Sequence, residues 1–396
     1  QYALVWHYLY KGQVEKAISL FNDKFDQEKR YTIVNELARL LARTSFSQEI
    51  RFKLQNILSA DEFGLLFNLI LFHNREYERF LSKVSSLPNT PEIVDNLGIA
   101  YLETGKPNQA RSRFQHALEK ARRTGDDVNI ARFQFRLAKV FAAKRNYKSA
   151  ANLLQENSTF VPLIWDMRLL YHCKALLGLV NYNLGHHAES IKASQKSIKI
   201  AEQLNDHFAL IEIYYNLGRA ASLLEKYQLA FNAYKSSETY ATEFDEISRL
   251  FQIQASKTSL LFNLSLYSLA DIFSQDAIQL ALMTENQNFI RMAQGRSAAI
   301  QFGQNNFRGA VEKTKDVIKV ENVLSTVEKA YWYNLIGRSY LSLAQFDSAE
   351  CYLEKAHDYI QQSPQSSYYE GYYFTSLIEL EIERGNYTAG VSASAW

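Results

Sequence analysis

The sequence predicts an all-α chain folded as an α-solenoid, and three regularities carry the prediction. A small residue is followed by another twelve positions later, at Gly98 and Ala110, Ala138 and Ala150, Gly178 and Ser190, Gly218 and Ala230, Thr258 and Ala270, Ala298 and Ala310, Gly337 and Ala349. The second members are spaced by 40 residues five times and by 39 once, and fixed self-similarity on that scale marks a repeat architecture. Three positions before each second member stands an aromatic ring or a helix starter: Pro107, Tyr147, His187, Tyr227, Tyr267, Phe307, Phe346. Seven positions after it, most copies carry a further small residue, in Ala117, Ser197, Ser237, Ala277 and Ala356.

Each copy therefore reads as two amphipathic helices joined by a tight turn, as in "YLETGKPNQA" (101–110) and "LSLAQFDSA" (341–349). The stretch "YYNLGRAASLLEKYQLAFNAYKSSETYA" (214–241) gives the packing logic. Gly218 sits in mid-helix, where glycine costs about 1 kcal/mol against alanine. Leu217, Ala220, Ala221 and Leu224 continue the apolar period on both sides, with no turn chemistry between them. Gly218 is thus a packing glycine that lets two helices cross closely.

Taken in order, residues 1–87 predict irregular helix pairs. "WHYLYKGQVEKAISLF" (6–21) has Gly12 at the turn and Ala17 in the second small slot, 30–58 fits only as helices, and "FNLILFHNREYERFLSKV" (67–84) puts Tyr77 in the aromatic slot. Pro88 and Pro91 separate this part from a regular array over 88–361. Inside the array Pro107 starts a second helix, where its missing N–H is harmless, and Pro162 in "NSTFVPLI" marks a longer joint. Pro364 in "QQSPQSS" is a polar break before a last helix or partial repeat over 362–389. The ending "SASAW" (392–396) resembles the linker of an affinity tag, so 390–396 is set apart from the fold. Opening on Gln1 rather than methionine, the chain is expected to lack its natural amino-terminal segment.

The slots leucine-glycine, tyrosine, alanine, phenylalanine and alanine recur in "NLGIAYLETGKPNQARSRFQHAL" (96–118), "NLGRAASLLEKYQLAFNAY" (216–234) and "IGRSYLSLAQFDSAECYLEKA" (336–356). They resemble the tetratricopeptide repeat family, most directly over 90–361. The common repeat of that family has about 34 residues, so copies near 40 imply helices about a turn longer. This long form resembles the repeat domains of bacterial regulatory sensors and of kinesin-light-chain-like adaptors. The resemblance implies a right-handed superhelix with a concave groove.

Composition narrows the function. With 47% hydrophobic and 22% charged residues the chain is an ordinary folded one, and a net charge of +2 without a basic stripe argues against nucleic acid as a partner. The longest apolar run, "FGLLFNLILF" (63–72), is too short to span a bilayer. Cys173 and Cys351 lie in helices of distant repeats; two buried thiols suit a reducing compartment, hence a cytoplasmic expectation. The sequons at Asn157, Asn263 and Asn386 read as chance matches.

No catalytic constellation emerges. His186 and His187 in "GHHAES" are adjacent and do not share a helix face, so they make no zinc pair. "GIAYLETGK" (98–106) lacks the spacing and preceding strand of a phosphate loop, and no nucleophile elbow is present. The expectation is a non-enzyme without cofactor or metal.

Function is therefore expected on surfaces. The resemblance places groove positions on the first helix of each pair, just before and after the first small residue. They are Asp95, Asn96 and Ile99; Phe135, Arg136 and Lys139; Ala175 and Leu179; Tyr215, Asn216 and Arg219; Ala255 and Ser259; Gly295 and Ala299; Asn334 and Arg338. Asparagine, lysine and arginine there grip peptide amides and carboxylates, so Asn96, Arg136, Lys139, Tyr215, Asn216, Arg219, Asn334 and Arg338 are the candidate binding residues. Arg219, Arg338 and Lys139 would form a basic strip favouring an acidic partner segment. Around 255–303 the slots shrink to Ala255, Ser259, Gly295 and Ala299, with Phe262, Met292 and Phe302 close by, which predicts an apolar recess. The leading expectation is a peptide- or protein-binding scaffold. Its alternatives are a ligand- or peptide-sensing domain of a larger regulatory protein, and a self-associating assembly subunit.

Overall fold

The computed structural model describes residues 4–5, 7–8, 11, 13–21, 25, 27–42, 48–83, 87–160, 167–319, 324–362 and 370–386. Gly12, Pro162, Pro364 and the ending 390–396 lie outside these. The described residues hold helices and turns and no strand, so the protein is all-α. None of these helices is long and apolar enough to cross a membrane. The chain divides into two compact units, 1–200 and 201–396.

Unit 1 opens with α1 (Val14–Leu20), α2 (Gln27–Leu41), α3 (Gln48–Ile57), α4 (Ala60–His73) and α5 (Tyr77–Leu81). Ile33, Leu37, Leu54, Leu66, Leu69 and Phe80 are fully buried among them. Ser59 and Glu62 form a capping box at the start of α4. Glu62 is also clasped by Arg30 of α2, Nε to Oε1 at 2.5 Å and Nη2 to Oε2 at 2.7 Å. The regular pairs follow: α6 (Pro91–Glu103) with α7 (Pro107–Thr124), α8 (Asp127–Ala143) with α9 (Tyr147–Phe160), and α10 (Met167–Asn183) with α11 (His187–Gln203), which runs past the division.

Unit 2 continues with α12 (His207–Leu223) and α13 (Tyr227–Glu243), α14 (Ile247–Asn263) and α15 (Tyr267–Met283), α16 (Gln287–Gly303) and α17 (Phe307–Ile318), α18 (Thr326–Ser342) and α19 (Phe346–Gln361), then α20 (Glu370–Glu383). Within a pair the two helices pack along their length, and first helices also touch the next first helix, α12 with α14, α14 with α16, α16 with α18. In both units the aromatic slot is the first residue of each second helix, from Pro107 to Phe346.

The period of 40 comes from two helical steps of 20, most of them 17 helical residues and a three-residue connection. Each connection turns on one residue of left-handed backbone, for example Gly105 (φ 70°), Arg145 (57°), Glu225 (55°), Ser265 (59°) and Asn305 (61°). The N–H of that residue and the next N–H cap the helix: Gly105 N–H reaches the Leu102 carbonyl at 3.1 Å and Lys106 N–H the Tyr101 carbonyl at 2.7 Å. Only some of these positions are glycine, so about 1–2 kcal/mol of backbone strain is accepted at each of the others.

Gly218 is a packing glycine, but its space is taken by a side chain rather than by the small residue twelve later. A Cβ there would sit 2.5 Å from the Tyr234 ring. Gly98 faces Phe114, Gly178 faces Ser194 and Gly337 faces Leu353, in each case the residue sixteen positions on. The third small slot also has a role: the Ser197 hydroxyl donates to the Tyr171 carbonyl at 2.8 Å and the Ser237 hydroxyl to the Ile211 carbonyl at 2.6 Å. Asn157, equivalent to them, is fully buried and donates to the Ala131 carbonyl at 2.5 Å. The thiols are not both buried as expected. Cys173 is buried and Cys351 exposed, because it falls on the outer stripe of α19 beside buried Leu353 and Ala349; both are free.

Candidate binding site on the first-helix face

In unit 2 a cavity of about 320 Å³ opens between α14, α16 and α18. Its floor is Gly295. A Cβ at that position would lie 2.5 Å from the Trp332 ring, so the missing side chain lets the indole of α18 lie against the α16 backbone. Phe262, Met292 and Ala299 make apolar walls, and Met292 is exposed. A second cavity of about 510 Å³ shares Phe262, Ala299 and Tyr331 with the first and adds Phe302, Asn334, Arg338 and Tyr372.

Polar side chains line the first cavity as well, among them Thr258, Ser259, Asn263, Arg291, Arg296 and Glu328. Glu328 lines the first cavity while capping α18 through Ser325, and it pairs with Arg291 at 3.5 Å. Burial works to raise its pKa, but the Ser325 hydrogen bonds and the Arg291 charge hold it below the usual range. Arg296 donates from Nε to the Ser259 hydroxyl at 3.0 Å, and that hydroxyl in turn donates to the Ala255 carbonyl at 3.0 Å. Among the described residues no carboxylate pairs with Arg296. Burial lowers its pKa, with only Tyr215 acting the other way.

Unit 1 handles the same face differently. Arg136 clasps Asp95, Nε to Oδ1 at 2.6 Å and Nη2 to Oδ2 at 2.7 Å, and Arg132 pairs with Glu92 at 3.2 Å. Burial alone would lower the Arg136 pKa, and Asp95 outweighs it. Asp95, Arg132 and Arg136, with Lys139, Arg168 and His172, line a polar cavity of about 240 Å³. Lys139 is crowded by protein and lies near Arg136, and both effects push its pKa down. Phe135 and His172 stack at 6.1 Å, and Phe135 holds the slot that Gly295 holds in unit 2.

The expected residues fall out as follows. Ser259, Phe262, Met292, Gly295 and Ala299 surround the first cavity, and Phe302 lines the second. Ala255 does not reach it: it is 4% exposed and packs in the core with Phe251 and Ala277, because it points into the pair rather than along the face. Asn96 and Asn216 are buried and bonded internally, to Asn35 Oδ1 at 3.2 Å and to Glu212 Oε1 at 2.9 Å, so they hold helices rather than offer amides. Asn334 is buried too, yet its Nδ2 has no acceptor among the described residues. Arg136 is committed to Asp95. Arg219 lies over the Tyr215 ring at 5.7 Å and Arg338 over Phe302 at 4.9 Å. Glu212 pairs with Arg249. Sequence reasoning missed Trp332, Tyr331 and Arg296. Repeat register was the available signal, since Arg296 occupies the same slot as Arg136, two positions before the first small residue.

An array of helix pairs with a small-residue register defines the class, an α-helical repeat solenoid. Residues 90–156 and 167–243 match the tetratricopeptide repeat family, so this stretch of the chain carries that family's repeats. No curated protein sequence matches the chain. Among solved structures it is similar to a signal transduction ATPase with numerous domains and a tetratricopeptide repeat sensor from Pyrococcus horikoshii, at 16% identity and a TM-score of 0.68, covering 92% of this chain and 57% of that one. The chain thus spans little more than half of that protein. It also resembles the apo form of RapI, at 13% identity and TM-score 0.52, covering 91% and 96% of the two chains. A Rap protein complexed with competence and sporulation factor matches at 15% identity and TM-score 0.51, covering 91% and 99%. These likenesses establish the fold.

Proposed function

We propose that the first-helix face of unit 2 binds a peptide segment, and that the chain is a non-catalytic binding scaffold. The observation that carries this reading is the recess over Gly295, an apolar pit with exposed Met292 and flanking arginines. Apolar walls supply affinity and a few placed charges supply orientation, the usual composition of a ligand site. The Rap protein similar in fold is complexed with competence and sporulation factor, which supports a peptide ligand for this one. Arg219 and Arg338 favour a segment carrying carboxylates, each charge-assisted contact contributing about 1.5–3 kcal/mol.

The second reading is a sensing domain within a larger regulatory protein. It is favoured by the fold likeness to an ATPase whose repeats are a sensor, of which this chain spans 57%.

The test is selection of peptides from a displayed random library, repeated with the Arg219→Ala, Arg338→Ala double variant. Enriched peptides should bind the variant more weakly, with a flatter dependence on ionic strength. Equal affinity at low salt would move the site off this face.

A further inference from the structure

The second helices of the regular pairs are alike in two respects, and α15 departs from both. α7, α9, α11, α13, α17 and α19 each carry lysine or arginine, and among the described residues none of them exposes a large apolar side chain. In α15 the only charged residues are Asp271 and Asp276. It exposes Leu269 (47%), Ile272 (57%), Leu282 (50%) and Met283 (65%). The fold does not need these side chains. α15 faces its neighbours with a different stripe, buried Ala270, Ser274, Ala277 and Ala281.

Leu269, Ile272, Asp276, Gln279 and Met283 follow one another by three, four, three and four residues. That spacing puts them on one line along the helix, about 21 Å long at 1.5 Å per residue. It is the a and d seam by which one helix packs on another. None of the five borders either cavity of the first-helix face, so the line is a separate surface. Its middle sets what it can receive. Asp276 is exposed and meets no cation among the described residues. Asp271 accepts only the Gln275 amide, at 3.3 Å, and its Oδ1 has no donor there. A copy of α15 laid on α15 about the middle of the line would bring Asp276 against Asp276, a like-charge contact that works against self-pairing. The complementary surface is apolar at its two ends and cationic between them.

We infer that the exposed line of α15 docks an amphipathic helix of a partner protein, with a lysine or arginine at its centre meeting Asp276 and apolar side chains on either side meeting Leu269, Ile272 and Met283. The inference is independent of the peptide site, since it uses other residues on another face.

The probe is a displayed library of helices about three heptads long, with leucine at the a and d positions and one central a position fully varied, selected on the immobilised chain. Lysine and arginine should be enriched at the varied position. A selected helix should bind the Asp276→Lys chain about tenfold more weakly, the size of one charge-assisted contact. Glutamate at the centre of that helix should restore its binding to Asp276→Lys. Ile272→Ser combined with Met283→Ser should abolish retention, and because both side chains are exposed the circular dichroism should stay that of the parent. Enrichment without a central cation, or equal binding to the parent and to Asp276→Lys, would overturn the inference. So would a library from which no helix is retained. A parent chain that dimerises in sedimentation, with the dimer lost in Ile272→Ser, would give the surface to a second copy and overturn it as well.

Discussion

Arg136 and Arg296 make the same repeat position serve two ends. In unit 1 the arginine is paired with Asp95, and Phe135 stacks on His172 in the neighbouring slot. In unit 2 the acid is replaced by Ala255 and the ring by Gly295, so a cavity opens and the charge is left facing it. A repeat scaffold opens a cavity by omission. The stacking that holds the array together runs through Ala110, Ala150, Ala270 and Ala310, all fully buried, and is unaffected by what the neighbouring face leaves out.

The sharpest way to break the contrast is Asp95→Ala. It strands Arg136 among buried neighbours, and unfolding by urea should show a loss of about 3 kcal/mol. Removal of the Ser259 hydroxyl beside Arg296 should cost far less, since no charge pair is broken there. If Asp95→Ala melts like the parent, the pair is not structural and the contrast fails.

Next come the packing glycines. Gly218→Leu should destabilise by about 1–3 kcal/mol through overpacking against Tyr234. The double change with Tyr234→Ala should cost less than the sum of the single changes, because both act on one space. Strict additivity would mean the ring and the glycine are not in contact.

Gly64 in α4 gives the opposite sign. Nothing lies within 4 Å of a Cβ placed on it, so Gly64→Ala should gain up to about 1 kcal/mol from helix propensity alone. A lower melting temperature for that variant would show a neighbour that the helix hides.

The smallest effect separates two carboxylates built alike. Glu62 and Glu328 each close a capping box and each meet an arginine from another helix. For both, burial pushes the pKa up; hydrogen bonds and the arginine charge win and hold it down. A depressed folded pKa means the stabilisation is complete above the unfolded value of about 4.3 and is lost as pH falls through the lower folded one. Glu62→Gln should therefore flatten the acid limb of the stability curve. The Glu62 side chain is 10% exposed and that of Glu328 40%, so raising salt should weaken the Glu328 pair more. Equal salt response in Arg30→Ala and Arg291→Ala would remove the distinction.

Much of this was legible in the chain itself. The register of small residues announced the helix pairs, and the aromatic slot marked the first residue of each second helix, because both are set by contacts between neighbours close in sequence. The small residues of the recess were legible for the same reason: Gly295 and Ala299 break the slot pattern. The tight turns were legible but their left-handed backbone was not, since nothing in the side chains of Arg145, Glu225 and Ser265 signals it. Nor were the roles of the arginines. Whether a guanidinium is spent on a carboxylate depends on a residue some forty positions away on the facing helix, so only the packed structure decided that Arg136 was closed and Arg296 open. Sequence by itself determined the repeat and where the side chains become small. Tertiary structure decided which of the resulting gaps were filled by Tyr234 or Phe114, and which remained a cavity beside Trp332, because that depends on side chains brought together by stacking rather than by local pattern.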